Sequence, residues 1–479
     1  MKSRPLYKHL RILGAALTLT VSACSAVGPS YQRPEAESPA RWGQVAQQVS
    51  VRDAANLSVW WTLFNDPVLD SLITRAVASN QDLLLAETRI REARAGAGMT
   101  ASAASPRLGA SAGYTHNRTG ENTSSGEVDQ DLFQTGFDAG WELDIFGGLR
   151  RATEAADASI EASVEDKRDV LVSLVAEVAR NYIDLRGVQQ RIAITTENIS
   201  IQEKTVDMVR QLFQAGFGSE LAVAQAKNQL AMTMSQVPGL QSAESRDMHQ
   251  LALLLGRTPE ALVAELTPAK LIPAIPPQVP VNLPSDLLRQ RPDIRRAERQ
   301  LAAATAEVGV ATADLFPRFS LAALLGLETT TGLSTLVTSG SRFWSAGPKV
   351  QWSLFDGGRA RAGVEAADSR RDRARIVYEK AVLTALAEVE NALVALSREQ
   401  EAHRLLQTAV AAGQRAESLS QSQYRLGLVD FLNVLQSELA LLQSRDQLVQ
   451  SEERLSLDMI GLFKALGGGW DAASSGHTL

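Results

Sequence analysis

One stretch, residues 133–178, changes its hydrophobic period within a few positions and so restricts the folds open to this chain. Over 133–145 apolar and polar side chains alternate, which predicts a strand with one apolar and one polar face. After Gly147 and Gly148 apolar residues recur every three, four or seven positions, which predicts a helix. The helical pattern continues without proline over 149–215, a length of roughly 100 Å. We expect several such helices to pack as a coiled coil, because no globular core needs this length.

The chain repeats this arrangement 211 residues later, which indicates an internal duplication. Gly147 and Gly148 find a counterpart in Gly357 and Gly358 with a slip of one residue. Ten identical pairs with the 211-residue separation are Ala86 and Ala297, Glu87 and Glu298, Pro106 and Pro317, Arg107 and Arg318, Trp141 and Trp352, Leu143 and Leu354, Glu177 and Glu388, Val178 and Val389, Gly216 and Gly427, and Gln225 and Gln436. Each half therefore predicts a helix, two strands and a long helical hairpin.

The duplication and the local composition divide the chain into six segments. A first helix is expected from 67 to about 101, and the return helix of the first hairpin should kink at Pro238 and Gly239. The segments are a signal peptide (1–23), a lipidated and extended N-terminal tether with little regular structure (24–65), repeat 1 (66–258), a proline-rich linker (259–284), repeat 2 (285–466) and a C-terminal tail (467–479).

The N-terminus resembles that of a bacterial lipoprotein. A basic start precedes an apolar run over 12–23 that is too short to span a bilayer but suits a signal peptide. Small residues then lead to Cys24, the single cysteine of the chain. This pattern predicts that Cys24 carries a covalent lipid, and Ser25 after it points to the outer membrane of a Gram-negative bacterium. The alternative is an ordinary signal peptide followed by an unmodified cysteine.

The alternating strands suit a membrane β-barrel. No other apolar run reaches 18 residues, so a membrane-spanning form of the chain would have to be a closed barrel. Four strands of about 10 to 13 residues cannot close one, because such barrels start near eight strands. The fold class predicted is therefore an α+β membrane protein in which several chains share one barrel. Trp141 and Trp352 suit an aromatic belt. The alternative is a soluble β-sandwich whose sheet is covered by helices.

Composition and motifs argue against two other classes of protein. The formal net charge of −6 gives no reason to expect a nucleic-acid partner. The five histidines show no metal-ligand spacing, so no metal site is predicted. The sequence also lacks phosphate-loop and nucleophile-elbow motifs, so we predict no enzymatic activity and no cofactor. A non-conducting periplasmic coiled-coil scaffold is a further alternative, which the four strands disfavour.

The chain resembles the outer-membrane factor (TolC-like) family, and in particular its lipoprotein branch of the OprM and NodT type. The resemblance lies in residues 283–321, 27–34 and 355–359. The similarity covers nearly the whole mature chain. It implies a homotrimer with a 12-stranded β-barrel in the outer-membrane lipid, continuous with an α-helical barrel across the periplasm. It also implies that the trimer is the exit duct of a tripartite efflux pump, with a periplasmic adaptor and an inner-membrane RND-type transporter as partners. A duct for type I protein secretion is the alternative.

The resemblance also assigns functional positions. The two hairpin turns would be the periplasmic tips on which an adaptor docks, although their glycines are equally explained as turn residues. The four junction glycines would lie where the β-barrel becomes the α-barrel. The tip residues are Gly216, Phe217, Gly218, Gly427, Leu428, Val429 and Asp430, and the junction residues are Gly147, Gly148, Gly357 and Gly358.

The gate is where the chain departs from the family pattern. By register, two positions that are acidic in TolC hold Asn433 and Gln436 here, and the partner position of the tip residue Tyr424 holds Ala222. We therefore hypothesise closure by packing and neutral polar contacts, without a ring of carboxylates. The contacts would involve Tyr424, Leu428, Leu432, Asn433 and Gln436. The sequence does not identify the exported substrate.

Overall fold

The computed structural model describes residues 26–35, 39, 42–43, 49–50, 57–122, 128–274, 279–280 and 290–470. Cys24, the signal peptide and much of the linker lie outside these residues. The strands are β1 (Val49–Ser50), β2 (Arg107–Arg118), β3 (Asp129–Leu143), β4 (Val279–Pro280), β5 (Arg318–Thr329) and β6 (Arg342–Gln351). The α-helices are α1 (Pro67–Ser79), α2 (Gln81–Ser102), α3 (Gly148–Gln214), α4 (Glu220–Met234), α5 (Val237–Leu254), α6 (Val263–Leu266), α7 (Pro292–Ala313), α8 (Arg359–Arg425) and α9 (Phe431–Ala465).

The chain divides into two compact units. The first contains the described residues of 26–35, 89–164 and 296–379, and the second contains those of 39–88, 165–295 and 380–470. Four of the strands form one antiparallel sheet in the first unit, in the order β2-β3-β5-β6. This sheet and the two long helices confirm the predicted strands and long helices of both repeats.

The sheet has one face on which large apolar side chains are exposed. One directly paired row crosses all four strands through Ala110, Phe137, Leu325 and Trp344. Phe137, Leu325 and Trp344 are 56%, 60% and 76% exposed. This face therefore has the character that contact with lipid requires. The last strand ends at Gln351, so Trp352 and Leu354, the counterparts of Trp141 and Leu143 on β3, lie beyond it.

The two tryptophans of the duplicated motif make the same contact in both repeats. The indole Nε1–H of Trp141 donates to the carbonyl oxygen of Ala104 at 2.9 Å, and that of Trp352 donates to Leu315 at 3.1 Å. Both acceptors are also 211 positions apart. Each indole thereby ties the end of a strand to the chain that leaves the preceding helix.

The long helices match their prediction closely, whereas two other helices are interrupted. α3 and α8 each contain 67 residues. The return helix of the first hairpin ends at Met234 and resumes at Val237, so the predicted kink at Pro238 is a break that precedes it. Proline is tolerated in the first turn of α5, where its missing N–H is not needed. The helix predicted over 67–101 is broken at Asn80, whose Oδ1 accepts from the backbone N–H groups of the next helix.

The prediction that residues 24–65 have little regular structure is wrong for the last part of this segment. Leu57–Phe64 is a 3₁₀ helix with a kink at Val59, where φ is −131° and ψ is 40°, and Leu57, Trp60 and Phe64 are buried in the main core of the second unit. Trp60 is 1% exposed, and its ring stacks on Phe463 with centroids 5.1 Å apart. These residues are therefore part of the packed core, because burial of two aromatic rings outweighs a weak local propensity.

Among the helices of the described residues, none combines the length and the apolar character needed to cross a membrane.

Candidate functional site

Both helical hairpins end in the same backbone turn. Gly216 and Gly427 have φ angles of +80° and +71°, in the left-handed region that favours glycine. In each turn the residue after this glycine donates to a carbonyl group five positions back, Phe217 to Leu212 and Leu428 to Gln423, both at 2.9 Å. This is the Schellman arrangement, which satisfies carbonyl groups at a helix C-terminus. Glycine at these two positions is thus required by the turn itself.

The side chains of the turns are available for contacts outside the chain. Phe217 is 85% exposed and Leu428 is 70% exposed. The two turns differ in how the next helix begins. The Ser219 hydroxyl accepts from the N–H of Ala222 at 3.2 Å, whereas Asp430 makes no such capping bond. The two tips therefore share a backbone conformation but differ in the residue that begins the next helix.

Tyr424 and Ala222, two of the predicted gate residues, belong to one apolar cluster behind the turns. Tyr424 lies against the ring of Phe431, with centroids 5.5 Å apart, and burial raises the pKa of its hydroxyl. Ala222 is buried. The buried members of the cluster are Val206, Val209, Ala222, Val223, Ala226, Phe431 and Val434. Because these residues come from α3, α4 and α9, the cluster packs the second hairpin against the first near their tips.

The other predicted gate residues lie on the surface of the chain. Leu428, Leu432, Asn433 and Gln436 are all exposed. The side-chain amide of Asn433 donates to the carbonyl oxygen of Asp430 at 3.4 Å, and its backbone N–H donates to the same oxygen at 3.0 Å. These four residues remain free to contact other chains.

Glu438 is a site residue that the sequence reasoning missed. Its side chain is buried and accepts hydrogen bonds from Thr205 of α3 at 3.2 Å and from Gln421 of α8 at 3.3 Å. Burial raises the pKa of Glu438, while the two hydrogen bonds lower it and nearby Glu417 raises it further. One carboxyl group thus joins three helices near the tips. Its position on the apolar stripe that contains Phe431 was the signal in the sequence.

The first strand-to-helix junction packs against the N-terminal segment. Gly147 has a φ angle of +79°, and a Cβ atom there would lie 2.4 Å from the Cβ of Ala26. Beside it, the N–H of Val27 donates to the carbonyl oxygen of Phe146 at 3.0 Å. A Cβ on Gly148 would lie 2.9 Å from Ala313. Both glycines are therefore needed for space, and Gly147 also for its backbone conformation.

The second junction requires glycine for conformation only. Gly357 and Gly358 have φ angles of +67° and +91°, and within the described residues a Cβ at either would meet no atom closer than 4 Å. Asp356 accepts from the N–H groups of Gly358 and Ala360, both at 2.9 Å. These two hydrogen bonds lower the pKa of Asp356, and the bond from Ala360 has the larger effect.

An acidic residue caps each long helix at these junctions. In the first repeat this residue is Asp144, which accepts from the N–H of Leu149 at 3.0 Å and from that of Arg150 at 2.9 Å. In the second it is Asp356. A carboxylate at a helix N-terminus satisfies free N–H groups and is favoured by the helix dipole. The capping role of both residues was not predicted.

In the part of the chain that the structure describes, no three His, Cys, Asp or Glu side chains are grouped so as to hold a metal ion. The site therefore consists of turns, an inter-hairpin contact and two junctions. Together with an exposed apolar sheet face and two long helical hairpins, these features are those of a membrane channel subunit.

The family model of outer membrane efflux proteins matches residues 72–257 and 283–468. The chain belongs to the outer membrane efflux protein family. The two matched segments are again offset by 211 positions, so each repeat carries the family pattern by itself.

Curated relatives and a solved structure agree with this assignment. The chain is 31% identical to Nodulation protein T of Rhizobium leguminosarum bv. trifolii, over 95% of this chain and 96% of that protein. It is 32% identical to the pyoverdine export outer membrane protein OpmQ of Pseudomonas aeruginosa, over 98% of both chains. The structure of the outer-membrane channel OprN superposes with a TM-score of 0.87 at 38% identity, over 93% of this chain and 99% of that one. The protein is thus an efflux channel of the Gram-negative outer membrane.

Proposed function

We propose that three copies of the chain form a homotrimer with a 12-stranded β-barrel and an α-helical barrel. The trimer would be the exit duct for a periplasmic adaptor and an inner-membrane RND-type transporter. The observation that carries the proposal is the open sheet: β2 and β6 are edge strands, each with one unpaired side. Unpaired strand edges are not tolerated in lipid, so β2 of one chain has to pair with β6 of another.

Paired cysteines test this closure. We expect a cysteine at Ser111 of β2, combined in turn with single cysteines along β6, to give disulfide-linked multimers at one register. The background is clean, because Cys24 is the single native cysteine. The readout is non-reducing electrophoresis of outer-membrane fractions.

A matched pair inside the sheet is the control for this experiment. Thr135 and Leu327 face each other across β3 and β5, so cysteines there should link within one chain and leave the monomer band. Absence of linked multimers at every β6 position, with the control pair oxidised, would refute the shared barrel.

The proposal includes a lipid on Cys24. Ala26, two positions later, packs against Gly147 at the strand-to-helix junction. An acyl chain on Cys24 would therefore enter the bilayer beside the end of the β-barrel. This placement supports anchoring in the periplasmic leaflet, where the acyl chain adds to the membrane affinity of the barrel.

The tips and the gate complete the proposal. The adaptor would dock on residues 216–218 and 427–430, whose apolar side chains Phe217 and Leu428 are exposed. The exposed Leu428, Leu432, Asn433 and Gln436 would close the entrance by contacts between chains. Glu438 is buried, so it contributes no carboxylate to a ring at the entrance.

A neutral entrance has a measurable consequence. We expect trivalent cations added on the periplasmic side to block single channels weakly, because Asn433 and Gln436 supply no anionic ligands. The measurement is the blocked fraction in planar bilayers against cation concentration. Replacing both residues with aspartate should strengthen the block, by roughly tenfold for each 1.4 kcal/mol of added binding. Tight block of the unmodified channel would contradict the neutral gate.

The exported substrate depends on the partners of the channel. A relative of this chain is named for pyoverdine export. We propose that the transporter and adaptor determine what the duct exports.

A further inference from the structure

The segment that follows the second repeat is packed against three other parts of the second unit. Gly467 and Gly469 have φ angles of +75° and +106°, which turn the chain back toward the core. The N–H of Gly469 donates to the carbonyl oxygen of Leu57 at 2.9 Å. The indole Nε1–H of Trp470 donates to Gln290 at 3.1 Å. Residues 467–470, predicted as the start of a tail, therefore have fixed positions.

Arg291 holds the base of the second helical hairpin. It is 8% exposed, and its Nη1–H donates to the carbonyl oxygen of Ala465, the last residue of α9, at 2.8 Å. The same nitrogen lies 2.7 Å from a carboxylate oxygen of Glu388 on α8. Asp293 accepts two further bonds from the guanidinium at 3.0 and 2.8 Å. One buried cation thus fixes both helices of the hairpin.

Trp470 connects this base to the first repeat. Its ring lies beside the guanidinium groups of Arg168 on α3 and Arg295 on α7, at 4.7 and 5.2 Å from the centroid. Glu165 binds both arginines at 2.6 and 2.7 Å, and its side chain is 6% exposed. Cation–π contacts are stronger where the charges are shielded from water, and the side chains of Arg168 and Arg295 are 19% and 27% exposed.

The duplication provides an internal comparison. In the first repeat Asn80, 211 positions before Arg291, donates from Nδ2 to the carbonyl oxygen of Leu254 at 2.9 Å. Leu254 is likewise 211 positions before Ala465. The first repeat therefore makes the same capture with a neutral amide. At the position of Trp470 it has Pro259, which supplies no ring for arginines. The second repeat alone has a charged anchor at this place.

We propose that Arg291, Arg295 and residues 467–470 form the fixed end of the second hairpin, about which its tip moves when the entrance opens. This inference rests on the proposed gate at the tips. The base is held by charge-assisted bonds, which are stronger than neutral ones. The tip is held by the small apolar cluster around Phe431 and by Glu438. From Glu388 to Gly427 the helix rises about 58 Å at 1.5 Å per residue, so a small rotation at the base displaces the tip widely.

The test measures leakage of the closed channel in the full trimer. R291Q removes a buried charged hydrogen bond, and W470A removes the cation–π contacts to Arg168 and Arg295. Each variant should raise the frequency of spontaneous openings in planar bilayers about tenfold. The same variants should admit vancomycin into cells. W470F keeps a ring between the arginines and should remain close to wild type. If R291Q assembles poorly, R291K serves instead, because it keeps the charge and loses the planar fork.

Two control variants separate the possible failures. N80A removes the equivalent bond of the first repeat, together with the two bonds by which Asn80 caps the next helix, and should leave leakage unchanged. F431A loosens the tip cluster directly and should raise leakage. If R291Q and W470A lower the melting temperature of the trimer while leakage stays at the wild-type level and F431A still leaks, the anchor is only structural and the inference falls. If F431A also fails to leak, the proposed gate is wrong and the inference falls with it.

Discussion

Replacing Gly147 with valine is expected to abolish most heat-resistant trimer. Two effects combine at this residue. A β-branched residue at a φ angle of +79° is strained by roughly 1–3 kcal/mol. In addition the new Cβ would lie 2.4 Å from that of Ala26, so the N-terminal segment would have to leave its place. The measurement is the ratio of trimer to monomer in outer-membrane fractions analysed by electrophoresis without heating.

The duplicated junction supplies the control for this variant. Valine at Gly357 adds the same backbone strain without a clash, so it should cost less trimer than valine at Gly147. Alanine at Gly363, inside α8 and with open space around it, should have no effect on the described packing. Normal trimer yield with Gly147→Val would show that the junction tolerates displacement of the N-terminal segment.

Replacing Trp60 with alanine is expected to destabilise the protein by about 3–5 kcal/mol, the usual cost of deleting a fully buried aromatic side chain. Trp60 is 1% exposed and stacks on Phe463 of α9. Its loss leaves a cavity between the 3₁₀ helix and the last helix of the second repeat. The measurement is thermal or denaturant unfolding of the detergent-solubilised trimer, followed by circular dichroism.

The neighbouring tryptophan provides the comparison for Trp60. Trp61 is partly buried and meets Trp60 edge to face, so Trp61→Ala should cost distinctly less. If the two substitutions destabilised the protein equally, the stabilising contacts of the 3₁₀ helix would not be concentrated on its buried face. An unchanged melting temperature for Trp60→Ala would restore the view of residues 24–65 as an unstructured tether.

The parts of the fold that follow from periodicity were predictable. α3 was expected over 149–215 and occupies 148–214, because a long apolar stripe fixes both its type and its ends. The 3₁₀ helix 57–64 was missed, although Leu57, Trp60 and Phe64 have helix-like spacing. A segment of eight residues is too short for periodicity to decide its structure. The break at Asn80 was missed because asparagine occurs within helices as well as at their caps.

The candidate site divides in a similar way. The turn glycines were found because a left-handed backbone conformation restricts the residue type strongly. The contacts of Glu438 and Arg291 could not be read from the sequence. Each depends on a partner that is distant along the chain, such as Thr205 for Glu438 and Ala465 for Arg291. A charged residue on an apolar stripe signals that a partner exists but not which residue it is.

The two return helices differ mechanically. α9 runs unbroken for 35 residues, whereas the corresponding chain of the first hairpin is divided into α4 and α5 at Ser235 and Gln236. A continuous helix resists bending and transmits torque along its axis, and an interruption absorbs it. We therefore expect a load applied at the second tip to reach the far end of α9. The same load on the first tip should bend the chain at Ser235 and Gln236, whose backbone stays helical but where the helix is interrupted ahead of Pro238.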